Sequence, residues 1–178
     1  MQETWLRTNR RAIFFGCVPL VAMVGLGGWL AVGIPTIAGV WRGLGWAIIV
    51  GGVMGITVLL NQLRRPRIAY HDGHVLFYLS GGGPIETPVG IVEAFFVGQG
   101  PAALPGGLAK QQSTYNLVAR LAQRETDWAN RDVKPALGQW CGGYVTIRGT
   151  WCEPLEDEVI RRLNRRLKEV KEGLRSEE

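Results

Sequence analysis

The side chains best suited to hold a metal are His71, His74, Cys141 and Cys152. His-x-x-His is a workable ligand spacing, and imidazole with thiolate would suit zinc. The surroundings argue otherwise. Asp72-Gly73 between the histidines reads as a hairpin turn, and the two cysteines have no close CxxC pairing. Neither a metal nor a cofactor is expected. His71 or His74 could still act as an acid or base in a site assembled from distant residues, which is one alternative function. The triple glycine at 81–83 and Gly98-Gln99-Gly100 precede no Lys-Ser/Thr pair and bridge no strand to a helix, so they read as turns, not phosphate loops. Ser113 and Thr114 have no histidine nearby in sequence. Glu86, Glu93, Glu125 and Asp127 are scattered and read as solvated. No catalytic residue is assigned.

Trp128, Trp140 and Trp151 are the most unusual content of the C-terminal part. Core packing is the favoured reading. A partner surface is the alternative, because exposed tryptophan is enriched at binding hot spots.

Whatever these residues do, two uncharged stretches precede them. No charged side chain lies between Ala12 and Trp41. Arg42 interrupts, and Gly43 to Leu63 is uncharged again. Spanning a bilayer takes roughly 20 apolar residues. Residues 1–67 therefore read as an N-terminal tail and a two-helix transmembrane hairpin, with spans at about 13–33 and 44–63. A short link makes the helices antiparallel. Arginines flank the outer ends and only Arg42 lies at the link, so both termini are expected in the cytoplasm and the protein in the inner (cytoplasmic) membrane. A cleaved signal peptide is disfavoured, because the first apolar stretch exceeds the usual h-region of about 7–15 residues. The spans hold no Asp, Glu, Lys or His, which gives a pump or channel little to work with.

Trp5, Trp41 and Trp46 fall where interfacial indoles are expected. Pro19 would kink the first helix or mark its first turns. Gly51 and Gly55 form a GxxxG pair, and Gly27 with Ala31 a small-xxx-small pair. Such pairs serve close helix approach, either between copies of the chain or, the favoured reading, within the hairpin.

The chain has a net charge of +5. Arg7, Arg10, Arg11, Arg42, Arg64, Arg65 and Arg67 stand against Glu3 alone in residues 1–67, a balance of +6, which leaves −1 for residues 68–178. The basic excess flanks the membrane and not the folded domain, so no nucleic-acid partner is expected. Arg64, Arg65 and Arg67 are candidates for lipid headgroups, at about 1 kcal/mol each near an anionic surface. Three cysteines without regular spacing are no disulfide framework, and reduced thiols are expected.

Residues 68–178 read as an α+β domain. Ile68 and Tyr70 precede the Asp72-Gly73 turn, and Val75, Phe77 and Leu79 alternate after it. Further strands are expected over Ile91–Val97, Ser113–Gln123 and Tyr144–Arg148, with a loop over Gly98–Gly107 and Val133–Leu137 ambiguous. A helix is expected over about 154–172, with Pro154 at its first position, acids in its first turn and Gly173 at its end. Leu155, Val159, Leu163, Leu167, Val170 and Leu174 form one apolar stripe, read as a face closing the β-core, with a partner-binding helix as the alternative. Asp157–Arg161, Glu158–Arg162 and Arg165–Glu169 are spaced to pair.

This layout resembles the bacterial pleckstrin-homology (PH)-like membrane proteins. The matching residues are Arg65-Pro66 leading into Ile68–Leu76, then Ile85 to Val97, Tyr144 to Arg148 and the helix from Pro154. The resemblance implies a bent antiparallel sheet or barrel of seven strands capped by the helix, and a binding or assembly module rather than an enzyme. The turn His71-Asp72-Gly73-His74 lacks the basic residues with which phosphoinositide-binding members hold inositol phosphates. The function expected is a non-enzymatic interaction or scaffolding module shown to the cytoplasm, with membrane lipid and a homo-oligomer or another membrane protein as partners. An accessory subunit of a membrane transport complex is a further alternative.

Overall fold

The structure, a computed structural model, describes residues 2–32, 39–101 and 113–177. It divides into two compact units, Arg10–Arg65 and the combination of Met1–Asn9 with Pro66–Glu178.

The first unit is a pair of helices, α1 (Arg10–Val32) and α2 (Gly39–Leu63), each long and apolar enough to cross a membrane. Most of the expected link, residues 33–38, lies outside the described residues. Large apolar side chains point away from the pair: Phe14, Trp29, Trp41 and Trp46 are all more than half exposed. Small residues point inward. A Cβ on Gly45 would stand 2.8 Å from both the Ala31 backbone nitrogen and the Gly27 carbonyl oxygen, and one on Gly52 2.6 Å from Val24 Cγ2. Backbones meet this closely only where side chains are missing. The expected Gly27/Ala31 pair thus lies in the seam, and the GxxxG pair is divided. Gly55 faces Leu20 of α1, whereas Gly51 has nothing within 4 Å. Gly45 and Gly52, one heptad apart, take the place assigned to Gly51. Pro19 sits inside α1, and Arg42 Nε donates to the Ala31 carbonyl.

The second unit holds eight strands and a helix among the described residues. One antiparallel sheet has the order β1-β2-β3-β4, from Glu3–Leu6, Ile68–His71, His74–Phe77 and Ile85–Pro88. The other has the order β5-β6-β8-β7, from Val92–Pro101, Ser113–Leu121, Tyr144–Ile147 and Gly138–Cys141. Two hairpins close on two-residue turns with left-handed backbone at both positions. Asp72 and Gly73 have φ of 46° and 75°, and Gly142 and Gly143 of 61° and 78°. That twist matches the flanking strands, so His71 pairs with His74 and Cys141 with Tyr144. Leu6, Ile68, Phe77, Leu117, Ile147 and Leu163 are among the fully enclosed side chains of the core.

The C-terminal helix, α3, spans Asp157–Glu177. Leu163 and Leu167 are buried, Leu155, Val159 and Val170 pack at the edge of the core, and Leu174 is exposed. The stripe is therefore a core face. Pro154 lies upstream of the helix rather than at its first position, and Gly173 lies within it. The last turns are solvent-exposed, where one glycine costs only about 1 kcal/mol and need not break a helix. Arg162 pairs with Glu153 at 2.7 Å, not with Glu158.

Three expectations on strands change. Gly98–Pro101 is not loop but the second half of β5, paired with Ser113–Asn116. The ladder to β6 overrides the local turn residues. Residues 102–107 of that expected loop lie outside the described residues. Val133–Leu137 is no strand, and β7 begins at Gly138, where any Cβ would collide with the Thr146 carbonyl oxygen. The largest change concerns residues 2–9. The sequence pattern places them with the membrane part, yet β1 pairs with β2 and joins the globular unit. Trp5, expected at a membrane interface, is 3% exposed, stacked on Tyr70 with ring centroids 5.5 Å apart and edge-on to Phe95 at 6.4 Å.

Candidate functional site

The globular unit gives up its chain after Asn9 and takes it back at Pro66, and one short segment, Thr150–Glu153, holds both ends. Thr8 bridges to Cys152. Asn9 donates from its backbone to the Trp151 carbonyl (3.1 Å) and from its side chain to the Thr150 carbonyl (3.1 Å). Glu153 N–H donates to the Arg7 carbonyl (3.0 Å). On the returning chain, Arg67 N–H donates to the Leu6 carbonyl at 2.8 Å, and its Nε to the Trp151 carbonyl at 3.2 Å.

The sequence explains why the segment sits there. It overlaps a 3-10 turn, Gly149–Trp151, that packs on β6. Gly149 N–H donates to Asn116 Oδ1 at 3.1 Å, and a Cβ at Gly149 would collide with the Tyr115 carbonyl. Only glycine lets the turn approach β6 closely enough to reach both chain ends.

Arg67 and Cys152 are enclosed in this clasp, 3% and 1% exposed. Burial lowers the Arg67 guanidinium from its ordinary value, with the Cys152 sulfur opposing. Burial pushes the Cys152 thiol up to about 12, against the pull of Arg67. A neutral thiol is a poor nucleophile and a poor metal ligand. Arg67 therefore leaves the set of headgroup candidates: its guanidinium faces a carbonyl inside the protein. Arg64 and Arg65 belong to the helical unit.

Beside the clasp, β1 and α3 border a charged cleft of about 270 Å³. Arg7, Arg162 and Arg166 line it with Glu3 and Glu153. Glu153 accepts from Arg162 and from the Arg7 N–H at 3.2 Å, and Arg166 reaches Glu3 at 3.4 Å. One ion pair, Arg166–Glu3, thus ties the N-terminal strand to the C-terminal helix, and Glu153 bridges Arg7 N–H to Arg162. Sequence reasoning missed this cleft because its arginines and acids lie some 150 positions apart, for instance Arg7 and Glu153.

The tryptophans separate. Trp140 is buried against Phe77 and donates from Nε1 to the Trp128 carbonyl at 2.8 Å. Trp128 is half-buried, with the Arg131 guanidinium 4.7 Å from its ring centroid. Trp151 is half-buried in the clasp. Trp140 is therefore core rather than a partner surface. His71 and His74 are brought together only as a cross-strand pair at a hairpin tip, where His74 Nδ1 lies 2.8 Å from the Asp72 carbonyl oxygen. Among the described residues, no three His, Cys, Asp or Glu side chains cluster as metal ligands. Comparison with family models, with curated proteins and with solved structures finds no match for this chain.

Proposed function

We propose that the chain is a two-pass protein of the inner membrane that shows a PH-like domain to the cytoplasm and works there as a non-enzymatic interaction or scaffolding module. The observation that carries this reading is the insertion of α1 and α2 between two paired strands. β1 and β2 belong to one sheet, which supports an insert whose two ends lie on the same side of the bilayer. Arg10, Arg11, Arg64 and Arg65 at those ends favour the cytoplasm for that side. The PH-like assignment draws on the strand-then-helix order. On this reading β2–β8 are the family's seven strands, α3 is its closing helix, and β1 is an added edge strand.

Both ends of the helical insert leave the domain beside one clasp, and a domain tethered to the membrane at two points suits scaffolding. The test has two parts. A reporter active only outside the cytoplasm, fused after Glu178, is expected to be silent; activity would reverse the orientation. Crosslinking in native membranes is expected to trap a second copy or a defined membrane protein. Capture of a transport protein would make the chain its accessory subunit, and a strict monomer without partners would overturn the scaffolding reading.

A further inference from the structure

We propose that the helical unit carries a site for one anionic phospholipid, in a groove between the first turns of α1 and the last turns of α2. This rests on the reading of the hairpin as membrane-embedded and adds a specific ligand to it.

The groove measures about 1070 Å³, just above the ~300–1,000 Å³ usual for small-molecule sites. Its two ends differ in chemistry. Ile13, Phe14 and Cys17 of α1 and Ile56 and Leu60 of α2 line its apolar part. Arg10, Arg11 and Arg64 close one end of it. An amphiphile with an acyl chain and a negative head matches both parts.

Packing explains why the groove opens here. The seam glycines, Gly27, Gly45 and Gly52, bring the backbones together toward the α1–α2 connection. At the arginine end, Gly16 has only an ordinary contact, a would-be Cβ standing 3.5 Å from Leu59 Cδ1. The neighbouring positions carry bulky side chains, and Phe14 and Phe15 are 70% and 71% exposed.

Electrostatics explains the negative head. Arg10 and Arg11 occupy the first turn of α1, which has no acid, so they add cations to the positive end of a helix dipole. The whole unit from Arg10 to Arg65 contains no Asp or Glu. The groove lining holds three arginines and no acid. A phosphodiester at the groove mouth would complement them through charge-assisted hydrogen bonds, which arginine makes in bidentate form.

Native mass spectrometry of the full chain in detergent tests this, with phosphatidylglycerol and phosphatidylcholine of the same acyl chains as probes. One phosphatidylglycerol is expected to be retained several-fold better than phosphatidylcholine. The double variant R10Q/R64Q is expected to lose that preference, while R42Q, which removes an arginine outside the groove, keeps it. Equal retention of the two lipids, or a preference unchanged in R10Q/R64Q, would overturn the site. Glycerol phosphate is expected not to compete; displacement by it would mean a headgroup site without the apolar part. A photoactivatable acyl chain is expected to label Phe14, Cys17 or Leu60, and labelling confined to Trp46 and Val50 counts against the groove. Alkaline carbonate extraction separates this proposal from its premise. A chain that stays in the membrane without lipid preference sinks the groove alone, and a chain that washes out sinks the membrane reading.

Discussion

The helical unit and the globular unit bury opposite kinds of residue. In the globular unit Phe77, Leu117 and Trp140 are inside, and arginines and glutamates line the surface cleft. In the helical unit Gly27, Gly45, Gly52 and Ala31 are inside together with one large side chain, Ile13, while phenylalanines and tryptophans point out. Water explains the first arrangement, because removing apolar area from it drives folding at about 25 cal/mol per Å². In the membrane setting proposed for the helical unit, lipid would offer no such drive between helices, and close backbone contact would be the source of association. One residue type therefore has opposite worth in the two units.

Tryptophan gives the largest test. Trp5 is 3% exposed in the globular unit, and Trp46 is 58% exposed on α2. Trp5→Ala is expected to cost ~3–5 kcal/mol, through the lost contacts with Tyr70 and Phe95 and the cavity left behind. Trp46→Ala is expected to stay within about 0.5 kcal/mol. Chemical unfolding of the full chain in detergent, followed by near-ultraviolet circular dichroism, checks both. Equal costs would break the contrast and also detach residues 2–9 from the domain.

Glycine gives the mirror experiment. Gly45→Ala adds a methyl group where two backbones meet, so it is expected to cost ~1–3 kcal/mol and spread the helices. Gly51→Ala adds the same methyl group to open space and is expected to leave them in place. Spin labels on α1 and α2 read the separation. If Gly51→Ala spread the helices instead, the GxxxG pair read in sequence would be the true seam.

The sequence showed part of this and hid the rest for physical reasons. The helices were legible because charge is absent over long runs, and the β2–β3 hairpin because Asp72-Gly73 names its own turn type. The seam was not, because every third or fourth residue near it is small and the rotational phase of each helix depends on the other. β1 was hidden because Glu3, Thr4 and Leu6 sit just before a long apolar helix and pair with residues over sixty positions away. The clasp was hidden for the same reason: Arg67 beside Pro66 reads as a membrane flank until Trp151 and Cys152 close over it. Local pattern carries periodicity, and it carries no information about which distant segment supplies a partner.

A smaller effect is expected where the globular unit guards a sheet edge. β5 is an edge strand, and Asn164 of α3 meets it with both ends of its amide, accepting from Phe95 N–H and donating to Phe95 C=O, each at 2.8 Å. The side chain imitates one residue of a neighbouring strand. Asn164→Ala is expected to cost about 1 kcal/mol, since partly buried backbone groups then lose their partners to water. Faster hydrogen exchange at the Phe95 amide, with Ala119 across the ladder unchanged, is the signature; unchanged exchange at Phe95 would mean the amide does not guard the edge.

The smallest effect separates two thiols of the same unit by burial alone. Cys141 is exposed at the β7–β8 turn and is expected to react with maleimide at neutral pH, while Cys152 stays protected until the clasp opens. The fold holds Cys152 as a neutral thiol, raising it from 9.0 to about 12. The proton is bound more tightly in the folded chain than in the unfolded one. This contribution to stability is therefore complete below pH 9 and disappears as pH climbs toward 12. Between those values the wild type is expected to lose stability faster with pH than Cys152→Ala, which has no proton to release. Parallel pH profiles would mean that water reaches the sulfur, and that Thr8, Asn9 and Arg67 are held less tightly by Thr150–Glu153 than their hydrogen bonds indicate.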